Sequence, residues 1–374
     1  MYLSRLLALL VLGCSACSRD PLSLVRPDDP ELALSLVGAA ASARVSQVSL
    51  GRFHACAVLS DGVVRCVGRN DYGQLGDGSV EDRIRPVRVL ALSDAVEVAV
   101  GDYHTCARRV DGTVMCWGYD AAGQLGDGLR VDRSVPWPVL GLEGVEQLAL
   151  GAHHSCARTR APAETGAVWC WGYGADGELG DGGTADRPTP MRVSLPGATR
   201  RIVAGSYHTC ALGPTDLHCW GGNMAGQLGD GTMNNRERPV AVRGLGPGRV
   251  IDVALGFAHT CVRLREGADE GVVSCFGANF EGQLGDGTHE ARLVPTVGRE
   301  LHGRAVRLSL GFSHTCVLFD TGRARCVGDV HAPFDRDLRE VNDLAVGGNS
   351  ICVVSTNGAV RCDGWEPYRQ LLAP

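Results

Sequence analysis

The chain of 374 residues contains no lysine; all 36 of its basic side chains other than histidine are arginine. That absence removes a P-loop lysine, a pyridoxal Schiff base and a lysine general base together. Positive charge is not in excess either, since the formal charge is −6 at pH 7. Duplex nucleic acid needs clustered cations to displace its counterions, so no nucleic-acid partner is expected. Aromatics make up only 5% of the residues. There is no serine nucleophile elbow and no zinc-protease helix signature. An enzyme is therefore not the first expectation, and no cofactor or metal is implied. After the first dozen residues no apolar run is long enough to span a bilayer as a helix.

What the chain has in abundance is glycine, 51 residues, and cysteine, 16. Arg5 precedes an apolar stretch from Leu6 to Leu12 and then small residues, the order of an export signal. Val11-Leu12-Gly13-Cys14 resembles a bacterial lipoprotein box, which implies cleavage before Cys14 and lipidation of its sulfur. Residues 1–13 are thus expected to be a signal peptide and residues 14–43, with Pro21, Pro27 and Pro30, a flexible tether. The expected location is outer-membrane-associated or at the cell surface, otherwise periplasmic or secreted. The lipid would be the only membrane contact.

Residues 44–374 repeat. A Gly-x-x-His-x-Cys stretch, or a decayed form of it, begins at Gly51, Gly101, Gly151, Gly205, Gly256, Gly311 and Gly347, and a second cysteine follows each about ten residues later. In the second copy Ala95–Val100 alternates like a half-buried strand, His104 opens another, Asp111-Gly112 is a turn pair and Val114–Gly118 a third strand. Gly123-Gln124-Leu125-Gly126-Asp127-Gly128 is too glycine-rich for a regular element, and a fourth short strand lies near Pro136. Such a unit cannot bury its apolar face alone, so the copies stack; a ring would remove the sheet edges an open array keeps.

The cysteines outside the leader fall into one pair per copy. They are Cys56 with Cys66, Cys106 with Cys116, Cys156 with Cys170, Cys210 with Cys219, Cys261 with Cys275, Cys316 with Cys326, and Cys352 with Cys362. Six separations are even, which places both residues on one side of a hairpin. Two of these, Cys156 with Cys170 and Cys261 with Cys275, are fourteen apart, and their four extra residues preserve the parity. Cys210 and Cys219, nine apart, need a bulge or a different turn. In an exported chain the pattern reads as seven cross-strand disulfides. The alternatives are reduced structural thiols, or a metal held by two thiolates and the nearby histidine.

Asp102-Tyr103-His104-Thr105-Cys106-Ala107, Cys116-Trp117-Gly118 and the Gly123–Gly128 loop, with its recurrences at Gly73, Gly177, Gly226 and Gly282, resemble the regulator of chromosome condensation repeat family. The resemblance covers about residues 44 to 374. It implies an all-β, seven-bladed propeller of four-stranded antiparallel blades, here with one disulfide in each blade. It implies no single activity. Copies six and seven depart from the pattern, because neither has the glycine loop and copy seven has Asn349-Ser350 where histidine belongs.

A catalytic residue is needed once, whereas a packing residue is needed in every blade. The histidines at 54, 104, 154, 208, 259 and 314, the aspartates of the glycine loops and Trp117, Trp171 and Trp220 therefore read as structural. The two positions between first glycine and histidine vary instead. If these loops share one face, Phe53, Tyr103, His153, Tyr207, Phe257 and Phe312 form an aromatic ring with Arg52 and Asp102 interspersed, the residue types that anchor protein interfaces. The expectation is a monomeric module that binds an unidentified protein through that face; an inhibitor of a secreted enzyme is one version. The alternative is a hydrolase or lyase acting on an envelope polymer in the central opening.

Overall fold

The computed structural model describes residue 43 and residues 45–363, apart from 161–165, 267–268, 330–336, 349 and 357–359. The leader, Cys14, the tether save Ala43, and the segment after residue 363 lie outside the described residues. Each repeat builds one antiparallel sheet from consecutive strands. The first consists of β1 (Val45–Leu50), β2 (His54–Leu59), β3 (Val64–Gly68) and β4 (Arg83–Arg88), paired in that order.

The expectation of seven four-stranded blades is corrected: among the described residues six such blades are built, not seven. They span 45–88, 95–138, 145–192, 201–241, 250–297 and 305–338, and the remaining repeat forms a three-stranded sheet over 341–363. The sixth blade is itself reduced, since its outer strand is only Asp337–Leu338. The physical reason lies in the glycine loop, which turns the chain back as an outer strand and which the last two copies do not have. The blade boundaries also coincide with the repeats, because β1 pairs within the first sheet.

The strand order explains the burial. His54–Leu59 is buried throughout, as its run His-Ala-Cys-Ala-Val-Leu demands, while the outer strand Arg83–Arg88 is largely exposed. Outer strands are edges, and five of the six carry proline: Pro86, Pro136, Pro188, Pro239 and Pro295. Proline has no N–H to offer a stray strand, so it protects the edge from pairing. The apolar core lies between neighbouring sheets. Leu75 of the first blade, for example, packs in one cluster with Val98 and Trp117 of the second.

Six disulfides cross the second and third strands of the four-stranded blades. They join Cys56 to Cys66, Cys106 to Cys116, Cys156 to Cys170, Cys210 to Cys219, Cys261 to Cys275, and Cys316 to Cys326. Cys352 is also disulfide-bonded and faces Cys362 in register. The two longer hairpins keep their cysteines opposed: Cys156 stands opposite Cys170, and Cys261 opposite Cys275. Their extra residues are taken up nearer the hairpin tips, with a register irregularity between Leu264 and Arg265 in the second. The odd spacing of Cys210 and Cys219 is absorbed by a shorter turn, closed by Gly213 N–H donating to Asp216 O, and the ladder itself carries no bulge.

Around the axis the first glycines make close contacts from sheet to sheet. A Cβ on Gly151 would stand 2.6 Å from the carbonyl oxygen of Gly205, so only glycine fits. Just beyond them a backbone girdle runs from sheet to sheet: Asp102 N–H to Ala152 O, Ala152 N–H to Ser206 O, Ser206 N–H to Gly256 O, Phe257 N–H to Gly311 O, Phe312 N–H to Gly348 O and Gly348 N–H back to Gly51 O. The sheet of three described strands therefore closes the circle.

Candidate functional site

In each blade the chain leaves the innermost strand at the glycine and re-enters at the histidine, so the residues between lie on one face. The third strand ends on that same face, and the glycine loop opens there. Hairpin tips fall on the opposite face. One surface thus collects two kinds of loop from every complete blade.

The first kind holds the residues singled out in the sequence, and the structure brings them together. Phe53 stacks on Tyr103 at 4.7 Å between ring centroids, Tyr103 on His153 at 6.0 Å, Tyr207 meets Phe257 edge-on at 5.2 Å, and Phe257 packs on Phe312 at 3.9 Å. Arg52 joins the two arcs, with its guanidinium carbon 4.9 Å from the Phe53 centroid and 5.0 Å from that of Phe312. The six rings are half-buried, one flank packed and one open to solvent. Asp102 lies 4.0 Å from Arg52. Burial pushes its carboxyl up to about 6, and the Arg52 charge only partly offsets this.

Sequence reasoning missed the second kind of loop. Tyr72 packs against Tyr103 and Tyr119, Tyr119 against His153, and His153 against Tyr173, while Arg69 lies over Phe53. The signal was present at Tyr119 and Tyr173, each directly after Cys-Trp-Gly. The same loops expose Val80, Leu129, Val131, Met224, Met233 and Phe280. The enlarged hairpin tips lie on the other face. Arg158 and Arg160 there both pair with Glu146, while 161–165 and 267–268 lie outside the described residues.

The opening at the centre measures about 90 Å³, far below an ordinary ligand pocket of several hundred Å³. Asp102 is the only carboxylate among its lining residues.

The repeated polar residues connect blades. His54 Nε2 lies 2.7 Å from Thr105 Oγ1 of the next blade, and Thr105 donates onward to Gln74 O. His104 with Ser155, His154 with Thr209 and His208 with Thr260 repeat this relay. Because the hydroxyl donates to a carbonyl, the imidazole must donate to the hydroxyl. Burial accordingly lowers His54, His154, His208 and His259 to about 3 and His104 well below its usual value. Trp117, Trp171 and Trp220 are fully buried, with Trp117 Nε1–H donating to Gln74 O and Trp171 Nε1–H to Gln124 O. Each loop aspartate caps its own turn and also takes an arginine six residues on, as in Asp77–Arg83 at 2.8 Å and Asp286–Arg292 at 2.7 Å. The recurring arginine was visible in the sequence and not read.

One loop position differs in a testable way. Gln74, Gln124, Gln227 and Gln283 accept a backbone N–H from two residues earlier, and Glu178 does the same from Asp176 while fully buried. Burial pushes its carboxyl up to about 8. At pH 7 the folded chain thus holds a proton that the unfolded chain has released, so stability declines as pH rises from about 4.5 to about 8. Glu178→Gln keeps the bond without the proton. It should stabilise the protein by about 2–3 kcal/mol at pH 7 and by almost nothing at pH 4, read from denaturant midpoints. Equal effects at both values would refute a neutral Glu178.

A family model described as Regulator of chromosome condensation (RCC1) repeat matches residues 61–108, 111–158, 165–212, 216–263 and 270–318, and a second of the same description matches 45–74 and 95–124. The chain is 34% identical over 229 residues to the ultraviolet-B receptor UVR8 of Arabidopsis thaliana, covering 55% of this chain and 51% of that protein. It is 31% identical over 183 residues to the human E3 ubiquitin-protein ligase HERC2, covering 48% of this chain and 4% of that one. The chain therefore spans at most about half the length of these relatives. Human WBSCR16 superposes with a TM-score of 0.66 at 25% identity, covering 75% of this chain and 73% of that one. Yeast RCC1 (Prp20), solved bound to Kap60, superposes at 0.67 and 21% identity, covering 81% and 78%, a likeness of fold alone.

Proposed function

We propose a function from one premise: the chain belongs to the regulator of chromosome condensation (RCC1) repeat family, an RCC1-like propeller of a fold commonly used to bind proteins. We read it as an exported interaction module that binds another protein through its aromatic face. The observation that carries this is the arc of half-exposed rings joined through Arg52, with a rim of exposed apolar side chains on the same surface. Rigid aromatics and arginine bind at little entropic cost, and a contiguous apolar patch on a soluble fold marks a contact surface. Buried disulfides support export, because they form in oxidising compartments. Anchoring through Cys14 and inhibition of an exported enzyme are narrower versions of the same reading. The small central opening with its single carboxylate favours binding over hydrolysis of a polymer.

A photo-crosslinking residue at Tyr103 should capture an envelope protein, whereas one at Val110, on an opposite-face hairpin tip, should not. With the crosslinker kept at position 103, Phe53→Ala and Phe312→Ala should each reduce capture at least tenfold while lowering the thermal midpoint by no more than about 5 °C. Capture that depends equally on both faces, or variants that simply unfold, would reject the assignment.

A further inference from the structure

Arg52 is unusual among the arginines of this face. Its guanidinium carbon lies over both the Phe53 and the Phe312 ring, contacts that restrict the group without using its N–H donors. Its side chain is 44% exposed, and the only acid near it, Asp102, is 4.0 Å away, beyond hydrogen-bond distance. No hydrogen bond among the described residues uses any of its five N–H groups. A planar fork fixed in this way is shaped for a carboxylate, which it can take through two parallel bonds. Its surroundings have the opposite sign. Among the described residues the loops around it carry Asp71, Glu81, Asp176, Glu281 and Glu290 beside the loop aspartates, against Arg69, Arg130 and the arginines those aspartates hold; Asp71 pairs with Arg69, and Glu81 and Glu290 share Arg83 and Arg292, so acids outnumber bases. Arg52 and Asp102 stand at the centre of the face, and the margin carries more acid than base.

We propose that Arg52 anchors a carboxylate-recognition site at the mouth of the central opening, and that its occupant is an aspartate or glutamate on a partner loop whose flanking residues are basic. This deepens the protein-binding reading and rests on it. The partner's carboxylate takes the free N–H groups of Arg52 beside the two phenyl rings, and its flanking cations meet Asp102 and the acidic margin. An acidic polysaccharide would match only the centre and be repelled around it.

The test uses the full oxidised chain and three probes: an acetylated Lys-Gly-Asp-Gly-Lys peptide, the same peptide with Asn for Asp, and an oligogalacturonate. NMR follows the Arg52 Nε–H. The Asp peptide should produce saturable shifts, at least tenfold weaker with the Asn peptide and in Arg52→Gln or Arg52→Lys, with thermal midpoints unchanged. Equal binding of both peptides, binding that survives Arg52→Gln, or no shift at about 10 mM peptide would overturn the proposal. Tighter binding of oligogalacturonate would overturn it too and assign the site to a glycan. If Arg52→Gln does not fold, the two peptides on the unaltered protein still decide. Crosslinking at Tyr103 that persists in Arg52→Lys would sink the carboxylate site and leave the interaction face standing.

Discussion

Reduction should lower the thermal midpoint by more than about 20 °C. Each bridge closes a loop of nine to fourteen residues, a chain-entropy contribution of about 2.5–3 kcal/mol. Six such bridges come to on the order of 15 kcal/mol, comparable with the whole stability of a typical domain. Residual structure in the reduced chain shrinks the figure, but even half of it spans many degrees in a protein of this size. All twelve sulfurs are at most 2% exposed. A reductant at room temperature should therefore act slowly, at a rate set by blade opening, and quickly once mild denaturant is added. Calorimetry with and without reductant, together with alkylation mass, provides the measurement. A midpoint that moves by less than about 5 °C after full reduction would show that packing between blades, and not the bridges, holds the ring.

Acid should unfold the ring abruptly, and the relay histidines are the cause. His54, His154, His208 and His259 stay neutral when folded down to about pH 3, and burial holds His104 well below its usual range, yet all five protonate near pH 6.5 when unfolded. The unfolded state then binds more protons, so stability rises with pH and falls on acidification. Three carboxyls act the other way between about pH 4 and pH 6, because burial raises Asp102 to about 6, Asp120 to about 7 and Glu178 to about 8, and their folded forms keep protons there. In that window the carboxyls offset about three of the five histidine protons, which leaves a net difference of about two protons, or about 3 kcal/mol per pH unit. Below about pH 4 the unfolded carboxyls protonate too and the opposition ends. All five histidines then count, at about 7 kcal/mol per pH unit. Asp77, Asp230 and Asp286, held below the usual carboxylate range by their Ser or Thr and Arg partners, add to the loss. Fluorescence of the buried tryptophans should report a shallow decline from pH 6.5 to about 4.5 and collapse between about pH 4 and pH 3. His208→Gln, which retains an N–H donor toward Thr260, should remove one proton from the slope. A protein that stays folded at pH 3 without taking up protons would contradict this account.

The strands, the turns and the cysteine pairing could be read along the chain because they are local. Alternation, Asp-Gly turns and two sulfurs about ten residues apart each act within one hairpin. The aromatic residues at 53, 103, 153, 207, 257 and 312 were legible for a related reason, since one register repeated around an axis must place equivalent loops together. What lay beyond the sequence involved partners in different repeats. That the last sheet, with three strands among the described residues, closes through Gly348 and Gly51 was decided by long-range packing, as was the contact of Tyr72 and Tyr119 with rings from neighbouring loops. The position of Arg52 between Phe53 of its own loop and Phe312 of a loop some 260 residues later exists only once the circle is closed. Local hydrogen bonding and side-chain alternation are written into neighbouring residues, but which face gains a fixed cation between two rings depends on where the chain's far end returns.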